Sequence, residues 1–184
     1  MLSERIVPVL ASVGLGCALL FTAGFAREVY TGIAGADPRP PLAPRAPAHV
    51  EPGELVGRLA IPRLELDAPV FEGVEAATLA RGAGHVPGTA LPGEEEKKNS
   101  SVIAITRGRN GAAVAGLRLG DRVRLRTSRG LRLYRVTERR VMKPSDFRLG
   151  PAPSARVTLL APFPADSFGP APMRVAVSLE RLNG

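Results

Sequence analysis

Apolar and charged positions alternate most cleanly at 122–126, where Arg122, Val123, Arg124, Leu125 and Arg126 repeat with a period of two. That is the period of a strand with one wet face, so Val123 and Leu125 point into a core and the three arginines into water. Six further runs read as strands, at 55–61, 68–71, 101–105, 131–141, 156–160 and 174–179, each bounded by Gly, Pro, Asp or Ser. Helical periodicity is confined to 74–80 and 112–117, about a turn and a half each. The pattern predicts an all-β domain over 55–184, a small barrel or sandwich carrying one or two short helices.

A different pattern precedes it. Residues 6–26 form an uncharged run of 21 residues, with Arg5 before it and Arg27 and Glu28 after it. At about 1.5 Å per residue the run just spans a hydrocarbon layer of about 30 Å. A cleaved signal peptide is the competing expectation, because Gly24-Phe25-Ala26 has the small-x-small form of a cleavage site. The run exceeds the roughly 7 to 15 apolar residues of a signal peptide, which favours a retained transmembrane helix behind a five-residue tail. Arg5 and the amino terminus lean towards a cytoplasmic start, leaving the C-terminal domain extracytoplasmic in a single-pass membrane protein. Residues 27–54 are the linker. Six of the sixteen residues at 37–52 are proline, which makes an extended spacer, and His49 within it has no expected role.

Composition then narrows the chemistry. The chain has 184 residues, enough for one domain plus appendages, and a single cysteine, Cys17, inside the apolar run. This excludes an intrachain disulfide, a Cys-based metal site and thiol catalysis in the domain. No His, Cys and carboxylate cluster has ligand spacing, so neither metal nor cofactor is expected. The net charge of +8 is uneven: residues 107–148 hold 13 Lys/Arg against three acids, a net of +10, which leaves −2 for the rest. Such a stretch suits an anionic wall polymer or lipid headgroups. Nucleic acid fits less well, since Tyr134 and Phe147 are its only aromatics for stacking bases. The acidic and basic run at 93–100 (GEEEKKNS) is expected to be a solvated loop, and its place ahead of the 101–105 strand would also let it cover a neighbouring cleft.

Three ordered blocks resemble the class D sortases, membrane-anchored cysteine transpeptidases. The first is GRLAIPRLELDAPVFEGVEAATLARGAGHVPGTALPGE, residues 57–94. The second is VIAITRGRN followed by GLRLGDRVRLRT, within 102–127, and the third is RVTLLAPFP through GPAPMRVAVSLERL, within 156–182. The KPSD segment at 143–146 also fits. The resemblance implies a small closed sortase-type β-barrel, an N-terminal transmembrane helix, and a sorting-signal peptide or surface protein as partner.

It also implies three catalytic groups: a thiolate nucleophile, a His acid and an Arg that stabilises the oxyanion or the substrate backbone. Where the family has its His after IAG, this chain reads Ile105-Thr106-Arg107. Where it has its nucleophile after TLxT, this chain reads Ala161-Pro162. A threonine hydroxyl cannot shuttle the His proton near neutral pH, and proline has neither nucleophile nor backbone N–H. Arg174 alone is retained at its matching position. The expectation is therefore a catalytically inactive sortase homologue acting as a peptide-binding or accessory module. Its candidate peptide contacts are Arg174, His85, Thr158 and Arg107, with His85 having a loop-holding role as the stronger alternative. Two other expectations compete: an enzyme with a non-cysteine nucleophile such as Thr158 or Ser167, and a polyanion-tethering module that uses the basic strands.

Overall fold

The computed structural model describes residues 50–95, 99–148, 155–165 and 171–182. Eight strands form the sheet: β1 (Leu55–Ile61), β2 (Leu66–Glu72), β3 (Ala83–His85), β4 (Ser100–Ala104), β5 (Arg122–Thr127), β6 (Gly130–Met142), β7 (Arg156–Phe163) and β8 (Met173–Arg181). They close into a barrel in the order β1-β2-β3-β4-β7-β8-β6-β5. Two neighbours, β2 with β3 and β4 with β7, run parallel, and the other pairs are antiparallel. Two short helices, α1 (Ala76–Arg81) and α2 (Arg109–Ala115), fill the crossovers that parallel neighbours require.

Barrel closure makes every strand alternate between an inner and an outer face. Inward residues include Leu59, Ile61, Val123, Leu125, Tyr134, Val157, Leu159, Val175 and Val177, all at most 1% exposed. The period-two expectation at 122–126 therefore holds, with Arg122, Arg124 and Arg126 exposed. On β4, β7 and β8 the outer face is covered as well, by a second apolar cluster of Val74, Leu79, Val86, Val102, Ala104, Phe147, Leu160 and Ala176. This explains why the β7 sequence shows little alternation: both of its faces are dry.

The all-β expectation and both short helices are found, with three differences. The first is an eighth strand, β3, which three residues are too few to announce by periodicity. Its Gly84 is required by packing, since a Cβ there would lie 2.3 Å from the Gly73 carbonyl oxygen and 2.9 Å from Leu79 Cδ2. The second is that β7 continues through Pro162 to Phe163, where a sequence reading ends it at 160. The β4–β7 ladder reaches Ile105 N donating to Leu160 O at 2.8 Å, and Pro162, which has no N–H to give the next bond, ends it there.

The third difference concerns the charged run at 93–100. Glu95 is 4% exposed, accepts from Gly93 N at 2.7 Å and from the Tyr134 hydroxyl at 3.0 Å, and so is part of the interior. Burial raises its carboxyl above the usual glutamate range, and burial beside Glu95 likewise raises the Tyr134 phenol. Glu94 meets Arg129 of the β5–β6 turn at 2.8 Å. These contacts pin the loop at the barrel end where β4 and β7 begin. The end where they finish, with Thr106 and Pro162, is left to other elements, so the described part of this run does not cover a cleft there.

The GD pair ahead of β5 has a clear job. Gly120 adopts φ +87°, which favours glycine. Asp121 Oδ2 accepts from Arg118 N at 2.8 Å and Asp121 Oδ1 from Arg63 Nε at 2.8 Å, tying the β5 turn to the β1–β2 connection. The Arg63 guanidinium holds the Asp121 carboxyl below the usual range. Among the described residues no helix is long and apolar enough to cross a membrane. The run at 6–26 and the stalk up to residue 49 lie outside the described residues.

Candidate functional site

The parity of β7 decides what meets on the outer face. Val157, Leu159 and Ala161 belong to the inner core, so Thr158, Leu160 and Pro162 point outward. By the same alternation Arg174, Ala176 and Ser178 point outward from β8, and Val102 and Ala104 from β4. Register then sets neighbours side by side: Thr158 lies between Val102 and Ser178, Leu160 between Ala104 and Ala176, and Pro162 against Arg174. Ile105 N donates to Leu160 O at 2.8 Å, so the β4–β7 pairing runs one residue past the end of β4. Thr106, the next residue, is thereby delivered to the level of Pro162. Three positions far apart in sequence, 106, 162 and 174, converge at one end of the outer face.

Each has a distinct environment. Pro162 is buried and Thr106 half-buried. Arg174 is 1% exposed, and its Nη1 donates to Ala171 O at 2.9 Å and Met173 O at 3.0 Å. Those bonds fix the guanidinium plane against the entry to β8. Arg107 follows Thr106 and is half-buried. Thr158, 8% exposed, lies four residues back along β7 from Pro162, roughly 13 Å away at strand rise. Ser167 lies outside the described residues.

His85 belongs to another part of the sheet, on β3 and paired with Ile103. It is 1% exposed. Its Nδ1 is 2.6 Å from Glu72 Oε2, and its Nε2 is 2.8 Å from Ala90 O and 2.9 Å from Thr89 Oγ1. A carboxylate, an imidazole and a hydroxyl in line have the connectivity of a nucleophile, base and orienting acid. The bonding excludes that use in this arrangement. Ala90 O can only accept, so Nε2 carries its hydrogen and cannot take a proton from Thr89. The Thr89 hydroxyl instead donates to Val86 O at 2.7 Å, and its oxygen accepts from Val102 N at 3.2 Å. Glu72, His85 and Thr89 thus clamp the 86–90 loop onto β4.

Sequence reasoning missed two participants. Phe147 follows the 3-10 turn Pro144–Asp146, is 7% exposed and packs into the outer apolar cluster with Leu160 and Ala176. Its signal was a lone aromatic closing a basic stretch. Glu72, 8% exposed, gave no signal, because its partner is thirteen residues away across a parallel strand pair. Among the described residues no three His, Cys, Asp or Glu side chains gather as metal ligands.

The assembled barrel can be compared with known proteins. No curated protein matches the chain. Among solved structures, sortase C-1 from Actinomyces oris is 26% identical, with a TM-score of 0.63 over 71% of this chain and 76% of that one. Sortase C-1 from Streptococcus pneumoniae is also 26% identical, at 0.66 over 82% and 80%. The Group B Streptococcus pilus island 1 sortase C2, 22% identical, shares the fold at 0.67 over 88% and 98%. The sortase domain family matches residues 59–181, two thirds of the sequence and nearly the whole barrel. This chain belongs to the sortase family.

Proposed function

We propose that this sortase-family domain does not perform cysteine transpeptidation and instead binds a peptide at the barrel end where Thr106, Pro162 and Arg174 converge, beyond the apolar cluster that covers the rest of the outer face. The single observation behind this is the identity of the convergent residues: Pro162 and Thr106 where the class D-like motifs would place a thiol and an imidazole, beside a retained Arg174. No cysteine follows residue 17, so no acyl-thioester can form in the barrel. His85 cannot replace the lost acid while its Nε2 hydrogen faces a carbonyl. A guanidinium held at 174 suits recognition of a peptide carbonyl or carboxylate through charge-assisted bonds. Arg107, half-buried next to Thr106, is the site's further polar contact; Thr158, buried about 13 Å back along β7, is not, and His85 acts by positioning the 86–90 loop. The run at 6–26 would anchor the chain in the cell membrane as a single pass, with the barrel on the outer side.

The test is binding of an LPxTG-type peptide to the full chain in detergent, followed by fluorescence anisotropy. Saturable binding that is weakened by Arg174→Lys and leaves the peptide intact is expected. Absence of any affinity would remove the peptide-binding role. The rewired-enzyme alternative predicts a covalent adduct at Thr158 or Ser167, which mass spectrometry would detect.

A further inference from the structure

The outer face of β1, β5 and β6 carries a surface that the peptide site proposed above does not use. Inward Val123, Leu125 and Tyr134 fix the parity, so Arg122, Arg124 and Arg126 of β5 and Leu131, Leu133 and Arg135 of β6 all face outward. Register makes them a continuous patch: Arg122 pairs with Arg135, Arg124 with Leu133, and Arg126 with Leu131. Arg58 of β1 lies beside Arg126 and is bonded to Asp67 at 2.7 Å. Among the described residues no carboxylate bonds Arg122, Arg124, Arg126 or Arg135. The two leucines between them are 47% and 40% exposed. Arg122 to Arg126 spans about 13 Å and three strands about 10 Å, so charges and leucines lie within one small area.

We infer that this face lies against an anionic lipid surface. Guanidinium groups bind phosphate esters through paired N–H donors. A soluble polyanion would use the arginines but leave Leu131 and Leu133 in water. A bilayer interface accepts both, with phosphates over the arginines and the leucines in the boundary with the acyl chains. The location agrees. β1 is the strand by which the chain enters the barrel, it forms one edge of this face, and its first residue, Leu55, is 61% exposed. Residues 27–54, 28 in all, separate β1 from the apolar run at 6–26, so the inference draws support from the anchor proposed above. A face pressed to the membrane would fix the orientation of the barrel, and hence of the end carrying Thr106, Pro162 and Arg174, relative to the surface.

The test uses the full chain with Cys17→Ser and Leu131→Cys, carrying a fluorophore on the new thiol and reconstituted in vesicles. Lipids brominated in the acyl chain quench it on contact. The expected result is strong quenching in vesicles with about one-third phosphatidylglycerol, little in phosphatidylcholine alone, and loss at high salt. In a variant that also carries Arg122→Gln, Arg124→Gln and Arg126→Gln, quenching in the anionic vesicles should fall to the level seen in phosphatidylcholine alone. Equal quenching in both lipids, or none in either, overturns the inference. So does tight binding of a soluble polyglycerol phosphate by the arginine face with no lipid quenching, which would assign the face to a polymer. Carbonate extraction reports the anchor separately, and failure of the anchor leaves the quenching comparison intact.

Discussion

Pro162 on β7 stands directly across the ladder from Arg174 on β8, at the end of the barrel to which Thr106 is delivered by the last β4–β7 hydrogen bond. In the function proposed above, these are the three positions of a sortase-type site, of which only Arg174 keeps a chemistry that the resemblance implies. At position 162 the pyrrolidine ring of proline offers neither a nucleophile nor a backbone N–H. That face carries a buried guanidinium, Arg174, beside a largely apolar cluster.

The clamp made by Glu72, His85 and Thr89 should be a stability element. His85→Ala removes two buried bonds and leaves the Glu72 carboxylate and the Ala90 carbonyl without their partner, which should cost about 2–4 kcal/mol. Amide hydrogen exchange of 86–90 and 102 should accelerate in the variant, while peptide affinity changes little if the loop re-docks. Unchanged exchange would mean that the loop is held by other contacts.

Glu95 gives a pH signature. Burial raises its folded-state value above the ordinary 4.5, so the folded protein holds this proton more tightly than the unfolded chain. Its contribution is fully present below 4.5 and is lost as pH rises through the raised folded value. Glu95→Gln removes that dependence. Denaturant titrations across pH should show wild type losing stability relative to the variant as pH rises through this window. A difference that does not vary with pH would contradict the buried, titrating carboxylate.

Gly84 should tolerate no side chain. A Cβ would meet the Gly73 carbonyl oxygen at 2.3 Å, and that is backbone which cannot rotate away. Gly84→Ala should cost about 1–3 kcal/mol and loosen α1 from the sheet, read as a lowered urea midpoint. A neutral effect would show that β2 and β3 can separate without penalty.

Much of this was legible in the sequence, for reasons visible at particular residues. Arg122 to Arg126 announce their strand because one face is wet and one dry, so chemistry alternates with geometry. β3 was not legible, since three residues carry no period. The role of Glu95 was concealed among like residues: Glu94 and Glu95 are identical in type and adjacent, yet one pairs with Arg129 at the surface and the other is buried against Tyr134. Only the path of the chain separates them. The meeting of 106, 162 and 174 depends on a parallel β4–β7 pairing, and was reachable from sequence only through a motif resemblance.

The most direct measurement is mass spectrometry of an LPxTG-type peptide incubated with an amine acceptor and the full native chain. A variant carrying Ile105→Gly, Thr106→His, Ala161→Thr and Pro162→Cys runs beside it. The account predicts an intact peptide with the native chain, and cleavage or a thioester-linked adduct with the variant, since the scaffold at Arg174 persists. Cleavage or transpeptidation by the native chain would contradict it.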